Sequence, residues 1–178
     1  MSKINIVKCS TVFAFLFVTL GFMACSPKYN WREVHGKDAR FVVLMPDKPV
    51  TLTRDINLDG AKIAMTMTAA EVDGVNFAVG YVEVTDATRA PTVLQAMKTA
   101  LIANINGSVK PTAPNSGIEI EALGHRKSDT AAVDGEPLLL LGHFESKDNR
   151  AYQVIVLGSE KAVIRDEAKT FFSSFKLN

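Results

Sequence analysis

Cysteine is the first scarcity. The 178-residue chain has two, Cys9 and Cys25, and neither lies beyond position 25. The rest of the chain therefore offers no thiol for a disulfide, a thiolate metal site or a cysteine nucleophile. Charge of one sign is equally scarce, with 20 Lys and Arg against 19 Asp and Glu. Without a basic excess there is no electrostatic footprint for nucleic acid, and no acidic tail suggests a charged partner. The six-residue glycine pattern of dinucleotide sites and the phosphate-loop Lys signature are missing, which argues against nucleotide dependence. A Gly-x-Ser-x-Gly elbow is missing too. A triad assembled from distant positions stays open, because triads are made by geometry.

Long apolar runs are limited to one. Lys3 and Lys8 precede an uncharged stretch from Thr11 to Cys25 that includes Phe13, Phe15, Leu16, Phe17, Val18 and Leu20. This is the plan of a secretory signal, and it is shorter than the roughly 20 residues a membrane-spanning helix needs. Its end, Leu20-Gly21-Phe22-Met23-Ala24-Cys25-Ser26, resembles a bacterial lipobox, with Ala24 small before the cut and Cys25 as lipid acceptor. Phe22 and Met23 depart from the usual Leu and small residue. Simple secretion is the alternative, but it would put bulky Phe22 near the cut or Pro27 directly after it. Residues 1–24 are thus expected to leave as a lipoprotein signal peptide, taking Lys3 and Lys8 with them. The remainder then has 18 basic and 19 acidic residues. One acyl chain holds a protein only marginally, and a mature lipoprotein carries two or three. The expected address is the periplasmic side of a bacterial envelope, with the membrane reached through the lipid. Ser26 after the acceptor, where no Asp stands, favours the inner leaflet of the outer membrane over the inner membrane.

Residues 25–30 read as lipid-attachment site and short tether, and 31–178 as a single domain, long enough to bury a core without staples. Strands are expected at Trp31–Val34 and Phe41–Met45, around a turn at Gly36-Lys37-Asp38. Pro46 to Pro49 stops the second. Leu52, Ile56 and Leu58 lead to Asp59-Gly60, and Ile63, Met65, Met67 and Ala69 alternate beyond it, so Asp-Gly marks a hairpin. Asp73-Gly74 repeats the device before Phe77–Val84. Leu94, Met97, Leu101 and Ile105 have helical spacing after Pro91, with Gly107 placed to end the helix. Pro111–Gly117 reads as a crossover loop, with a functional loop as the alternative. Strands follow at Ile118–Leu123, Leu138–Phe144 and Tyr152–Leu157. The last is apolar on both faces, as suits a central strand. Ile164, Ala168, Phe171 and Phe172 predict a second helix, and Phe175–Leu177 a terminal strand. The class is α+β: an antiparallel β-sheet with helices packed on its faces.

Several of these landmarks have a familiar order. Trp31, then Phe41-Val42-Val43-Leu44-Met45-Pro46-Asp47-Lys48-Pro49, Val133-Asp134-Gly135-Glu136 and the ending Phe171-Phe172-Ser173-Ser174-Phe175-Lys176-Leu177 resemble the PsbP-like superfamily, and in setting its DcrB-type envelope lipoproteins. The resemblance runs from Trp31 to Leu177 and consists of structural landmarks. It implies a PsbP-like αβα sandwich and members that act by binding other proteins. No catalytic residue comes with it.

Candidate chemistry is thin. His125 and His143 lie in or beside strands that could be neighbours, and with Glu145 they are weak candidates for an acid–base or metal cluster; His35 stands apart. Their spacing matches no compact ligand motif. Met45, Met65 and Met67 could select Cu(I), but Met65 and Met67 share a face with Ile63 and Ala69, as core residues do. Trp31, Phe41, Phe171 and Phe172 read as core anchors, with a partner-binding aromatic patch as the alternative. The charged segments Arg126–Asp129 and Lys147–Arg150 read as solvated turns. No cofactor, metal or catalytic residue is expected. The leading functional expectation is a lipid-anchored, non-catalytic envelope protein that binds another envelope component. One alternative is a periplasmic carrier or sensor of a small apolar ligand, held in an apolar cavity between sheet and helix. Another is a cryptic hydrolase.

Overall fold

The computed structural model describes residues 27–36, 38–58, 60–112, 117–125 and 136–178. The expected signal, the lipid acceptor Cys25, the Arg126–Asp129 segment and the Val133-Asp134-Gly135 landmark lie outside them. Among these residues ten strands and two α-helices follow in the order β1 Arg32–Gly36, β2 Phe41–Met45, β3 Val50–Leu58, β4 Ala61–Val72, β5 Val75–Glu83, α1 Ala90–Asn104, β6 Ser108–Lys110, β7 Ile120–His125, β8 Pro137–Lys147, β9 Arg150–Ser159, α2 Arg165–Ser174 and β10 Lys176–Leu177. Every strand pair is antiparallel. The class is α+β.

Seven strands form one sheet in the order β3-β4-β5-β9-β8-β7-β6, and β1, β2 and β10 form a second, with β2 in the middle. Strand β9 is the fourth of seven, and Ala151 to Val156 are all buried, which is why its sequence is apolar on both faces. Side-chain alternation then assigns each face of the large sheet a layer. Val75, Phe77 and Val79 of β5 and Tyr152, Val154 and Val156 of β9 face the small sheet and α2, where Phe41, Val43, Met45, Phe171 and Phe172 complete a core. Ala78 and Val82 of β5 and Ala151 and Ile155 of β9 face α1.

Local chemistry explains the turns. Asp73 and Gly74 have φ of 49° and 75° and join Val72 directly to Val75, so this two-residue hairpin takes the primed geometry that suits strand twist. At the end of α1 the left-handed position falls on Asn106, φ 48°, rather than on Gly107. The Asn106 N–H donates to Ala103 O and the Gly107 N–H to Ile102 O, at 3.1 and 2.9 Å, a Schellman closure in which Asn supplies the αL residue. The next turn brings an unexpected strand, β6, whose three residues are all exposed. Three exposed residues leave no alternating signature to read. Because β6 pairs antiparallel with β7, residues 111–117 close a hairpin rather than a crossover; 113–116 lie outside the described residues. Among the described residues no helix is long and apolar enough to cross a membrane.

Candidate functional site

The register of β7 and β8 decides the fate of the histidine cluster. Ile120 pairs with Gly142 and His125 with Pro137, so His143 falls one step beyond Ile120, six positions from His125. At the usual rise per strand residue that is about 20 Å. His143 and Glu145 do meet, with Nε2 3.6 Å from Oε2, and the second carboxylate beside the ring is Glu119, Oε1 3.4 Å from Nδ1. Phe175 contacts the imidazole edge-on at 6.2 Å between centroids. The two carboxylates are more than 40% exposed. This arrangement sets one imidazole between two carboxylates near the surface. His125 is exposed and belongs to the opposite end of the strand pair. Glu119 had no sequence signal, since its proximity depends wholly on strand register. Among the described residues no three His, Cys, Asp or Glu side chains are grouped to hold a metal.

Other candidates resolve into packing. Met45 lies in the small-sheet core, while Met65 and Met67 line the opposite, α1-facing side of the large sheet. The three thioethers share no site. Phe41, Phe171 and Phe172 are buried anchors. Trp31 is half-buried, stacked on Tyr29 and edge-on to Phe77. A Ser-x-x-Lys spacing does occur at Ser173 and Lys176, but Ser173 Oγ donates to Thr170 O within the helix and Lys176 belongs to β10.

The Lys147–Arg150 turn is fastened rather than merely solvated. Asn149 Nδ2 donates to Glu83 Oε1 and to Val84 O, and Arg150 reaches Glu83 Oε2 at 2.9 Å. The Asn149 hydrogen bond, aided by Arg150, holds the Glu83 carboxyl below its ordinary range. The segment read as a tether is likewise docked from Lys28 onward. Lys28 Nζ is 2.7 Å from Asp73 Oδ2, Tyr29 packs on Trp31 and Phe77, and the Asn30 N–H donates to Pro46 O.

Among the described residues several hollows could receive something, and three features bear on the expectations drawn from the sequence. A half-open cavity of about 320 Å³ lies between the β1–β2 hairpin and the large sheet, lined by Thr51, Thr66, Thr68 and Tyr81 with His35 and Asp38 at its side. Its hydroxyls pair across the strands, Thr51 with Thr68 and Thr53 with Thr66. A smaller crevice of about 190 Å³ lies under α1, between Met97, Ala100 and Leu101 of the helix and Ile56, Leu58 and Met65 of the sheet. This is the place expected for an apolar ligand, at a smaller size. The third feature is the outer edge of β3, which pairs with β4 alone among the described strands. Its nine residues are exposed apart from Ile56 and Leu58, and Val50 and Leu52 are 71% and 49% exposed. Val50 and Leu52 share the α1-facing side; Thr51 and Thr53 share the other.

No family model matches this chain, and neither does any curated protein. Among solved structures, a crystal structure of a Bacteroides thetaiotaomicron protein at 1.50 Å resolution is similar over 83% of this chain, at 11% identity and a TM-score of 0.41. The match spans 48% of that protein's length.

Proposed function

We propose that this chain is a lipid-anchored, non-catalytic binding module of a bacterial envelope, with a PsbP-like α+β domain of the DcrB-type setting. It is held on the periplasmic side through Cys25, at the inner leaflet of the outer membrane. The observation that carries the reading is the open edge of β3. A nine-residue strand whose outward N–H and C=O groups find no strand partner among the described residues is a template for an added strand, of the kind that natural proteins otherwise cover or blunt. The partner is an extended segment of another envelope protein that pairs along β3 and covers Val50 and Leu52. Near-neutral charge leaves specificity to main-chain pairing and to these side chains rather than to long-range steering.

The docked tether supports the anchored half of the proposal. Only Ser26 and Pro27 separate Cys25 from Lys28, so the domain is held within roughly 10 Å of the anchor, by the reach of an extended chain. A partner would be met close to the bilayer. The test is photo-crosslinking in intact cells from position 52, with position 169 on the exposed face of α2 as control, beside the Cys25→Ala chain. The expected result is one envelope protein captured from position 52, not from 169, and lost with Cys25→Ala. A Cys25→Ala chain that stays membrane-bound overturns the anchor. Equal capture from both positions, or no reproducible neighbour at position 52, overturns the β3 interface.

A further inference from the structure

A glutamine lies in the middle of an apolar layer. Gln153 belongs to the central strand β9, is 5% exposed, and faces α1 among methionines, alanines and leucines. Its carboxamide makes one contact among the described residues, Nε2 to Met67 Sδ at 3.6 Å, and a thioether is a weak acceptor. Burying an amide without a good partner is costly, so its place needs a cause.

The surroundings are built to hold this side chain. Met67, Gly80 and Gln153 are directly paired across β4, β5 and β9. A Cβ on Gly80 would lie 2.4 Å from Met67 Sδ and 3.0 Å from Gln153 Cγ, so only glycine leaves room for the thioether and the amide to meet over β5. With Nε2 turned to the sulfur, Oε1 remains as an acceptor. Gln153 also lines the 190 Å³ crevice under α1, whose walls carry no charged residue. Such a volume is slightly above that of an apolar cavity known to take up benzene, about 150 Å³. Met65 and Met97 line it, and thioethers make favourable contacts with aromatic rings.

We propose that the crevice under α1 binds a small neutral aromatic molecule bearing one hydrogen-bond donor, a phenol- or indole-type ligand. Its ring lies against Met65 and Met97, and its O–H or N–H donates to Gln153 Oε1. The site is separate from the β3 edge and stands whether or not a partner adds a strand there. An uncharged lining selects against anions and cations, and the carbonyl of buried Gln153, rather than the exposed lining residues Asn57 and Asn104, selects for the donor, because a ring without one leaves the amide unpaired.

The test uses the full chain in lipid nanodiscs and fluorine NMR titration with 4-fluorophenol and fluorobenzene. The expected result is saturable binding of 4-fluorophenol at least tenfold tighter than fluorobenzene. In Gln153→Leu that preference disappears while fluorobenzene binding is kept, which also reports that the crevice is intact. In Ala100→Phe, which fills the crevice, both are lost. Absence of saturable binding by the native chain overturns the proposal. So does a tenfold preference that survives in Gln153→Leu.

Discussion

The two faces of the seven-stranded sheet are packed to different standards. On the side of α2 and the small sheet, Phe41, Phe77, Phe171 and Tyr152 are at most 2% exposed, and rings meet in sequence from Tyr29 through Phe77 to Phe171 and Phe172. Two buried hydroxyls there have partners: Tyr152 donates to Ala39 O at 2.9 Å, and Thr68 pairs with the Thr51 hydroxyl at 2.9 Å. On the α1 side, Phe144 is the one buried ring among the described residues, methionines and alanines take most of the other places, a crevice remains, and a glutamine sits under the helix. The first face is filled at its aromatic centre but keeps the half-open 320 Å³ cavity beside Thr51, Thr68 and Tyr81. The second keeps a smaller crevice directly under its helix and an underused amide, and the exposed part of β3 continues from it. Most of the ring packing lies on the first face, and the ring-poor space under α1 on the second.

Truncation sharpens this comparison most. Phe171→Ala removes a ring with no exposure from the filled side, and a loss of about 3–5 kcal/mol in urea unfolding is expected. Met97→Ala on the α1 side should cost less, about 2 kcal/mol, since that side chain already borders empty space. Equal losses would break the contrast. Polar groups should respond with opposite signs. Tyr152→Phe leaves the Ala39 carbonyl unpaired and should lower stability by about 1 kcal/mol, whereas Gln153→Leu removes a poorly partnered amide and should raise it by about as much. Denaturant midpoints of the two variants check the signs. A Gln153→Leu chain less stable than the native one would mean that the amide has a structural partner.

The smallest effect concerns the rim of the filled side. Arg165 donates to both oxygens of Glu121, at 2.9 and 2.8 Å, and this hydrogen bonding holds the Glu121 carboxyl below its ordinary range. The unfolded chain therefore takes up the proton first as pH falls. The pair's contribution is full above the ordinary carboxylate range and is lost as pH drops through the lowered folded-state value. With Arg165 more than half exposed, the effect is below about 1 kcal/mol. Stability of Arg165→Gln relative to the native chain, measured from pH 7 down to pH 3, should show a deficit that closes at the acid end.

The elements that were legible are those whose local chemistry suffices. β2 lies at Phe41–Met45 as its five apolar residues predict, and the Asp73-Gly74 turn follows from two positions that tolerate positive φ. The central place of β9 follows from a run with no polar face. β6 was illegible because three exposed residues have no period, and the end of α1 shifted because Asn106 can occupy the αL position that Gly107 was expected to take. The histidine cluster failed for another reason. Whether His125 or Glu119 lies beside His143 is a matter of register between two strands, and nothing in either strand states it.

By itself the sequence determined the class, the order of most strands and helices and the apolar faces, because periodicity and turn residues act over a few positions. It also determined the expectation of an export signal ending at Cys25. Only the tertiary structure decided that β3 and β6 lie at the edges of the large sheet, that Gln153 is enclosed under α1 opposite Gly80, and that the tether docks through Lys28 on Asp73. Those are long-range pairings, and they are set by how the layers pack together rather than by any residue's own preference.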